Sequence, residues 1–475
     1  MTQQDSAIHI QFLGAAGTVT GSKYVISAYG KKIMVDCGMF QGLKALRLLN
    51  WSALPITVSE IDTVLLTHGH LDHTGYLPRL VKDGFKGKII GTAPTLEIAR
   101  VILEDSARIQ EEDAMRANAE KFTKHTPAQP LYTVEDARKA ETLFVTQPLN
   151  DWLPISDNIS ARFRYNGHIL GASFIELKIS NKLLVFSGDI GRENDLLLFP
   201  AEKPTHADVL FIESTYGNRL HPDHPETELM NLINEAAGKR GTILIPSFAV
   251  ERTQTLMFML WQLRKKHLIP ELPVYMDSPM GGHVLDIFHR FPEWHKLSAE
   301  DCTEMCKDIQ LVETMKDTQK LALNPKPKII IAGSGMASGG RVLTYFQHYI
   351  GNTATQIILA GYQAEGTRGR SLLEGVAEIK LFGKWYPVKA KVNCVEGLSA
   401  HADQGELIRW LNKLDRPPQK IVIVHGEKDG AEGLRGKIKE VYGWDANIPG
   451  INDTLEISSH SIGLQQTSEI VDTIP

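Results

Sequence analysis

The sequence predicts an α/β protein in which one α/β domain is interrupted by a second. Three observations carry this prediction. The short apolar runs DTVLLT, LLVFS, DVLFIES and KIVIVH each stop at a polar or ionisable cluster, as strands do at the ligand-binding carboxyl edge of an open sheet. Between about Gly217 and Lys389 the texture becomes an α/β alternation of its own, through GTILIPSF, RTQTLMFMLWQLRKK, LPVYMDSP, KIIIAGSG and TQIILAGYQ. Strand and helix texture then resumes with KAKVNCVEG and a helix carrying Leu407, Ile408, Trp410, Leu411 and Leu414 on one face. The expected boundaries are 1–216 for the first part of the outer domain, 217–388 for the inserted parallel-sheet domain and 389–475 for the second part.

Taken in order, IHIQFLG, KYVISA and YGKKIMVD, separated by the glycine-rich AAGTVTGS and a tight turn, read as a β-meander whose last strand ends at Asp36. DTVLLT ends at His68. The segments LPRLVKDG and PTLEIARVILEDSARIQEEDAMRANAEKF have helical spacing of apolar residues, and the polar stretch from Lys124 to Pro130 is expected to break the long helix. Asp403 and Glu406 are spaced as a helix-start capping box, and the end from about Ser458 reads as a polar tail.

With 475 residues, 43% of them hydrophobic, the chain can bury a substantial core. No apolar run approaches the roughly 20 residues of a membrane span, and MTQQDSAIHIQF lacks a basic region followed by an apolar stretch. A cytoplasmic protein with no membrane partner is expected. The four cysteines are too few and scattered for a disulfide framework, and Cys302 and Cys306 share a helix face. A net charge of −5 is not the footprint of a strongly basic nucleic-acid binder, so any nucleic-acid contact rests on local basic surface or on bound metal.

Thr67-His68-Gly69-His70-Leu71-Asp72-His73 packs three imidazoles and a carboxylate into a few positions directly after a strand. Such donors suit zinc and similar borderline metals. The pattern resembles the HxHxDH signature of the metallo-β-lactamase superfamily, which implies a four-layer αββα sandwich. Asp36 resembles the superfamily's first-motif acid, which orients ligands from behind. His168 in NGHILGA and Asp189 in SGDIG match the third and fourth motifs. The resemblance implies one metal on His68, His70, His168 and Asp189 and another on Asp72, His73, His425 and Asp189, two zinc ions with manganese as an alternative. Two metals about 3.5–4 Å apart share a hydroxide nucleophile in phosphoryl transfer, which makes Asp72 and Asp189 catalytic as well as ligating.

The region after Asp189 resembles the β-CASP branch, whose cap domain is inserted within the metallo-β-lactamase domain and which acts on nucleic acids. Its extra motifs match Glu213 in IESTYG, His401 in SAHAD and His425 in VHGE, and PSFAVERTQ, DSPM and GSGMASGGR fit as well. Glu251 departs from the pattern, since relatives usually carry Gly before Arg252. The resemblance covers the chain to about Ile457 and is to the compact bacterial type. It implies a ribonuclease for single-stranded RNA, endonucleolytic with exonucleolytic trimming, and His425 at the third extra motif favours RNA over DNA. An oligomer is compatible with it. His401, held by Glu213, is the expected acid for the departing oxygen. Ser334, Ser338 and Arg341 in the glycine-rich stretch, with Arg252 and Ser399, are the expected phosphate contacts. Arg368, Arg370, Lys380, Lys384, Lys389 and Lys391, interleaved with Trp385 and Tyr386, are expected to line a single-strand path. Two other functions are weaker. A small-molecule thioester or lactone hydrolase on the same core has no need of the inserted domain, and a non-catalytic RNA-binding subunit would have lost its metal ligands.

Overall fold

Two stacked sheets form the body of the outer domain in the computed structural model, which describes residues 7–120, 126–458 and 461–467. The first sheet has eight strands in the order Ile462–Gln465, Thr454–Ile457, Ile8–Phe12, Tyr24–Ala28, Lys31–Val35, Thr63–Leu65, Lys88–Gly91 and Phe144–Thr146. The second has seven, running Ala446–Asn447, Lys420–Val424, Val209–Glu213, Lys182–Phe186, Ser173–Ile179, Ile159–Tyr165 and Leu153–Ser156. Ile10, Phe12, Tyr24, Ile33 and Val35 of the first sheet meet Phe163, Leu177, Phe186, Phe211 and Val424 of the second in one buried cluster, with the Phe186 and Phe211 rings stacked at 4.2 Å.

Helices cover both outer faces. Leu80, Leu96, Leu103 and Ala137 pack on Met34, Val64 and Ile89 of the first sheet. Leu407, Trp410, Leu434 and Ile438 pack on Phe174, Leu210, Ile212 and Ile423 of the second. This makes the four-layer sandwich and explains why VLFIE reads as a continuous apolar run. Val209 and Phe211 face the other sheet while Leu210 and Ile212 face helices, so the period-2 alternation of a half-exposed strand is lost. Each fully buried side chain of this kind contributes about 1.5–3 kcal/mol. The long helix runs Ala93–Glu120, and the expected helix break lies partly outside the described residues.

The chain divides into two compact units, the second made of Leu196–Leu198 and His221–Ala400. Its six-stranded sheet, in the order Ile309–Leu311, Val274–Asp277, Ile329–Ala332, Ile243–Pro246, Gln356–Ala360 and Lys391–Val395, is parallel throughout. The expected boundary at 388 is therefore corrected to Ala400, because Lys391–Val395 pairs with Gln356–Ala360 inside this sheet. The expected polar tail is also corrected in part. Ile462–Gln465 forms an antiparallel edge strand on Thr454–Ile457, with Ile462 and Leu464 packed against the inter-sheet core.

Asp403 and Glu406 make the capping box that starts Gln404–Trp410. Cys302 and Cys306 lie one turn apart on Ala299–Lys307 as free thiols, outside every metal-ligating cluster among the described residues. No described helix is long and apolar enough to cross a membrane.

Candidate metal centre

Strand ends and the turns after them carry the chemistry-bearing side chains to one edge of the sandwich. His68 follows Thr63–Leu65, and His70 caps the short helix Leu71–Thr74 that bears Asp72 and His73. His168 sits between Ile159–Tyr165 and Ser173–Ile179, Asp189 follows Lys182–Phe186, Glu213 ends Val209–Glu213 and His425 follows Lys420–Val424. The turns are tight. Asp36 and His425 adopt left-handed φ values of 57° and 47°, a cost accepted at sites held by their surroundings. Gly188, at φ 54°, has no room for a side chain, since an added Cβ would lie 2.7 Å from the Thr67 Cβ.

Two groups of ligand atoms result. His68 Nε2 and His168 Nε2 lie 3.1 and 3.2 Å from His70 Nδ1, and both are about as close to Asp189 Oδ2, at 3.5 and 3.6 Å. His73 Nε2 is 3.1 Å from His425 Nε2 and 3.3 Å from Asp189 Oδ1, while Asp72 Oδ2 lies 3.4 Å from His425 Nε2. The sets His68–His70–His168–Asp189 and Asp72–His73–His425 each keep their ligand atoms within 4.8 Å of one another. The Asp189 carboxylate thus presents one oxygen to each group. Ring nitrogens that face each other at hydrogen-bond distance point their lone pairs toward common centres, so the donors fit two cations.

A layer of hydrogen bonds sets each ring. Asp36 Oδ2 accepts from His73 Nδ1 at 2.7 Å and from the Thr67 hydroxyl at 2.8 Å, and Oδ1 accepts from the Thr67 N–H at 2.7 Å. The Thr67 hydroxyl lies 3.1 Å from His68 Nδ1, and the Thr215 hydroxyl 3.2 Å from His425 Nδ1. Each contact turns an Nε2 lone pair inward. Asn166 donates to the Ser187 and Asp189 carbonyls, tying the His168 turn to the Asp189 turn. Sequence reasoning missed Thr67, Thr215 and Asn166. Their signal was adjacency, because each lies within two residues of a motif residue.

Burial pushes His68 well below its ordinary value and His70 down to about 4, so both are neutral donors. Burial opposes charge on His73 as well, but the Asp189 and Asp36 carboxylates outweigh it and raise that group. Burial works against the Asp189 carboxylate too, yet His425 and His73 hold it well below the usual range.

His401 completes the edge. Its Nδ1 lies 3.2 Å from both oxygens of Glu213, and its Nε2 is 3.9 Å from Asp189 Oδ2. Glu213, fully buried, also accepts from the Ile190 N–H at 2.7 Å. Burial disfavours charge on His401, and Glu213 with Asp189 reverses this and raises it.

The phosphate-contact candidates lie in the second unit. The Arg341 guanidinium is committed to Asp277 at 2.5 Å and to the Val312 and Glu313 carbonyls, so its charge is already compensated. Ser334 Oγ accepts from the Ser338 N–H, and the Ala337 and Val342 N–H groups bond within the loop. Ser338 itself is exposed. Arg252 is buried and donates to the Ala360 carbonyl, beside Ser399, which is also buried.

Glu251 sits at φ 65°, ψ −57°, and the Arg252 N–H bonds the Val250 carbonyl at 2.8 Å. This is a strained γ-turn, a backbone conformation that glycine adopts without the penalty of a Cβ. In the basic stretch, Arg368 and Arg370 donate to carbonyls and Lys391 pairs with Glu235. Lys380, Lys384 and Lys389 are exposed, and Trp385 stands 63% exposed on the hairpin Glu378–Leu381 and Lys384–Pro387.

The chain is similar to known metal-dependent hydrolases over most of its length. Residues 17–227 match the metallo-beta-lactamase superfamily, 253–372 the Beta-Casp domain and 385–449 the Zn-dependent metallo-hydrolase RNA specificity domain. The chain is 32% identical over 444 residues to a ribonuclease of Thermus thermophilus, covering 92% of this chain and 96% of that one. It is 29% identical to a transcription termination factor FttA of Methanocaldococcus jannaschii, over 95% of this chain and 72% of the relative. An RNase J-like protein of the same organism is also 29% identical, over 88% of this chain and 92% of its own length. A crystal structure of a protein of unknown function from Enterococcus faecalis shares the fold, with a TM-score of 0.52 at 14% identity over 95% of this chain and 100% of that one.

Proposed function

The chain belongs to the β-CASP branch of the metallo-β-lactamase superfamily, and from that membership we propose a metal-dependent ribonuclease that hydrolyses phosphodiester bonds of single-stranded RNA. The observation that carries the reading is the Asp189 carboxylate, with Oδ2 toward His68 and His168 and Oδ1 toward His73 and His425. In this reading His68, His70 and His168 hold one cation, Asp72, His73 and His425 hold the other, and Asp189 joins them. The ions, zinc with manganese as an alternative, supply the charge that stabilises the attacking and leaving oxygens at phosphorus.

The chain's own residues do the rest. Asp36, Thr67 and Thr215 fix the ring tautomers. Glu213 holds the His401 Nδ1 proton so that Nε2 faces the site, where the Glu213 and Asp189 carboxylates favour the protonated ring that gives a proton to the departing oxygen. Ser338 is the phosphate contact we retain, and Trp385 with Lys380 and Lys384 offers stacking and charge to a single strand. A thioester or lactone hydrolase would have no use for the His401 and Glu213 pair.

Cleavage of labelled single-stranded RNA and of DNA of the same sequence, by wild type and by the Asp72→Ala, His73→Ala double variant, tests the reading. Wild type should cut RNA faster than DNA, and the variant should cut neither. Equal cleavage of DNA would overturn the substrate assignment, and intact RNA would overturn the activity.

A further inference from the structure

Beneath the helix that bears Asp72 and His73 lies a lysine that no motif accounts for. Lys23 is 1% exposed. Its Nζ donates to the Gly21 carbonyl at 3.1 Å and the Gly38 carbonyl at 2.5 Å, and it sits 4.5 Å from the Phe40 ring centroid and 5.2 Å from that of Tyr76. Two carbonyl dipoles and two aromatic faces solvate the ammonium where a carboxylate would be the ordinary partner. Burying an ammonium costs several kcal/mol, and an apolar residue of the same length would avoid that cost. Packing alone gives no reason for this residue here.

The two segments that Lys23 joins suspend the ligand-bearing helix. The Met39, Ser22 and Cys37 N–H groups donate to the Leu71, Asp72 and His73 carbonyls at 3.1, 2.8 and 2.7 Å, so three consecutive carbonyls hang from the 22–39 scaffold. The fit is close enough that a Cβ on Gly38 would fall 1.6 Å from the Asp72 carbonyl oxygen, and one on Gly21 2.5 Å from the Phe40 ring. The scaffold has two arms, one through Ser22 and one through Cys37 and Met39. They are tied to each other by the Gly38 N–H on the Ser22 carbonyl at 2.9 Å and by the Lys23 ammonium. His68 and His168 hang from other turns, while His70 is the N-cap of the suspended helix, its carbonyl accepting from the His73 and Thr74 N–H groups.

We propose that Lys23 is a positioning residue for the cation site formed by Asp72, His73 and His425, holding the two arms of its support in register. The inference rests on the two-metal reading given above. Its consequence is unequal, because loosening this scaffold displaces Asp72 and His73 directly and reaches the other group only through His70, while His68 and His168 stay in place.

The test is zinc titration of the metal-free protein against a chromophoric chelator, for wild type, Lys23→Met and Lys23→Gln, alongside urea unfolding of each. Lys23→Met should keep one tight zinc and weaken the second about 10- to 100-fold, the range for loss of a ligand-orienting partner. Lys23→Gln, which keeps a donor, should fall between it and wild type and serves in its place if the Met variant fails to fold. Equal weakening of both sites would assign Lys23 to general packing and overturn the proposal. So would two unaltered sites in either variant. A wild type that binds no zinc would instead sink the two-metal reading, which separates the two failures.

Discussion

Asp36→Asn replaces one carboxylate oxygen by an NH2 group with almost no change in volume, and Asn tolerates the left-handed φ of 57° that this position requires. The native carboxylate accepts three hydrogen bonds, from the Thr67 N–H on Oδ1 and from the Thr67 hydroxyl and His73 Nδ1 on Oδ2. The amide cannot satisfy all three. With its oxygen toward the Thr67 N–H, its NH2 faces His73 Nδ1, so the ring must accept there and carry its proton on Nε2, the atom 3.3 Å from Asp189 Oδ1. That removes a ligand lone pair. With the amide reversed, NH2 meets the buried Thr67 N–H, a lost hydrogen bond worth about 1–3 kcal/mol.

The expected loss in affinity for the second zinc is about 10- to 100-fold, equivalent to about 1.4–2.8 kcal/mol. Chelator competition reads it directly, and urea unfolding of the metal-free protein checks that the fold survives. An Asp36→Asn variant that binds both zinc ions as tightly as wild type would refute the tautomer argument.

His401→Asn should keep the wild-type zinc content while RNA cleavage falls about 10²- to 10⁴-fold, and metal analysis beside a single-turnover assay decides it. Loss of zinc would place His401 among the ligands instead. Lys23 gives stability a pH signature. Its folded pKa is lowered by burial to about 8 from 10.5, so above pH 8 the unfolded chain holds a proton that the folded chain has released, and the unfolding free energy rises with pH. Between pH 7.5 and 9 wild type should gain about 1 kcal/mol relative to Lys23→Met. Cys37, raised to about 12 by burial, acts in the opposite sense only from about pH 9 upward, and parallel curves for the two proteins would contradict the assignment. At Glu251, the Gly variant should be more stable than the Ala variant by about 1 kcal/mol, because both remove the carboxylate but only Ala keeps a Cβ at φ 65°. Equal denaturation midpoints would mean that the turn relaxes.

The candidate ligand histidines were legible because their chemistry is written in local spacing, with each motif falling where a buried strand ends. The supporting layer was not. Thr67, Thr215 and Asn166 are ordinary polar residues whose roles arise from contacts with Asp36, His425 and the Asp189 turn across long stretches of chain. The pairing of Arg341 was not legible because its partner Asp277 lies 64 positions away, and sequence shows a charge without showing what neutralises it. The edge strand Ile462–Gln465 escaped notice because two apolar residues among polar ones form a strand only when a sheet edge is there to pair with them. Lys23 reads in sequence as a surface cation in a strand start, and only the Gly21 and Gly38 carbonyls and the Phe40 and Tyr76 rings disclose its burial.

In the proposed site one carboxylate, Asp189, joins two cations. Anomalous diffraction at the zinc edge from zinc-loaded crystals tests it most directly. Two peaks are expected about 3.5–4 Å apart, one among His68, His70 and His168, the other among Asp72, His73 and His425, with an Asp189 oxygen facing each. A single peak, or two peaks that Asp189 does not join, would contradict it.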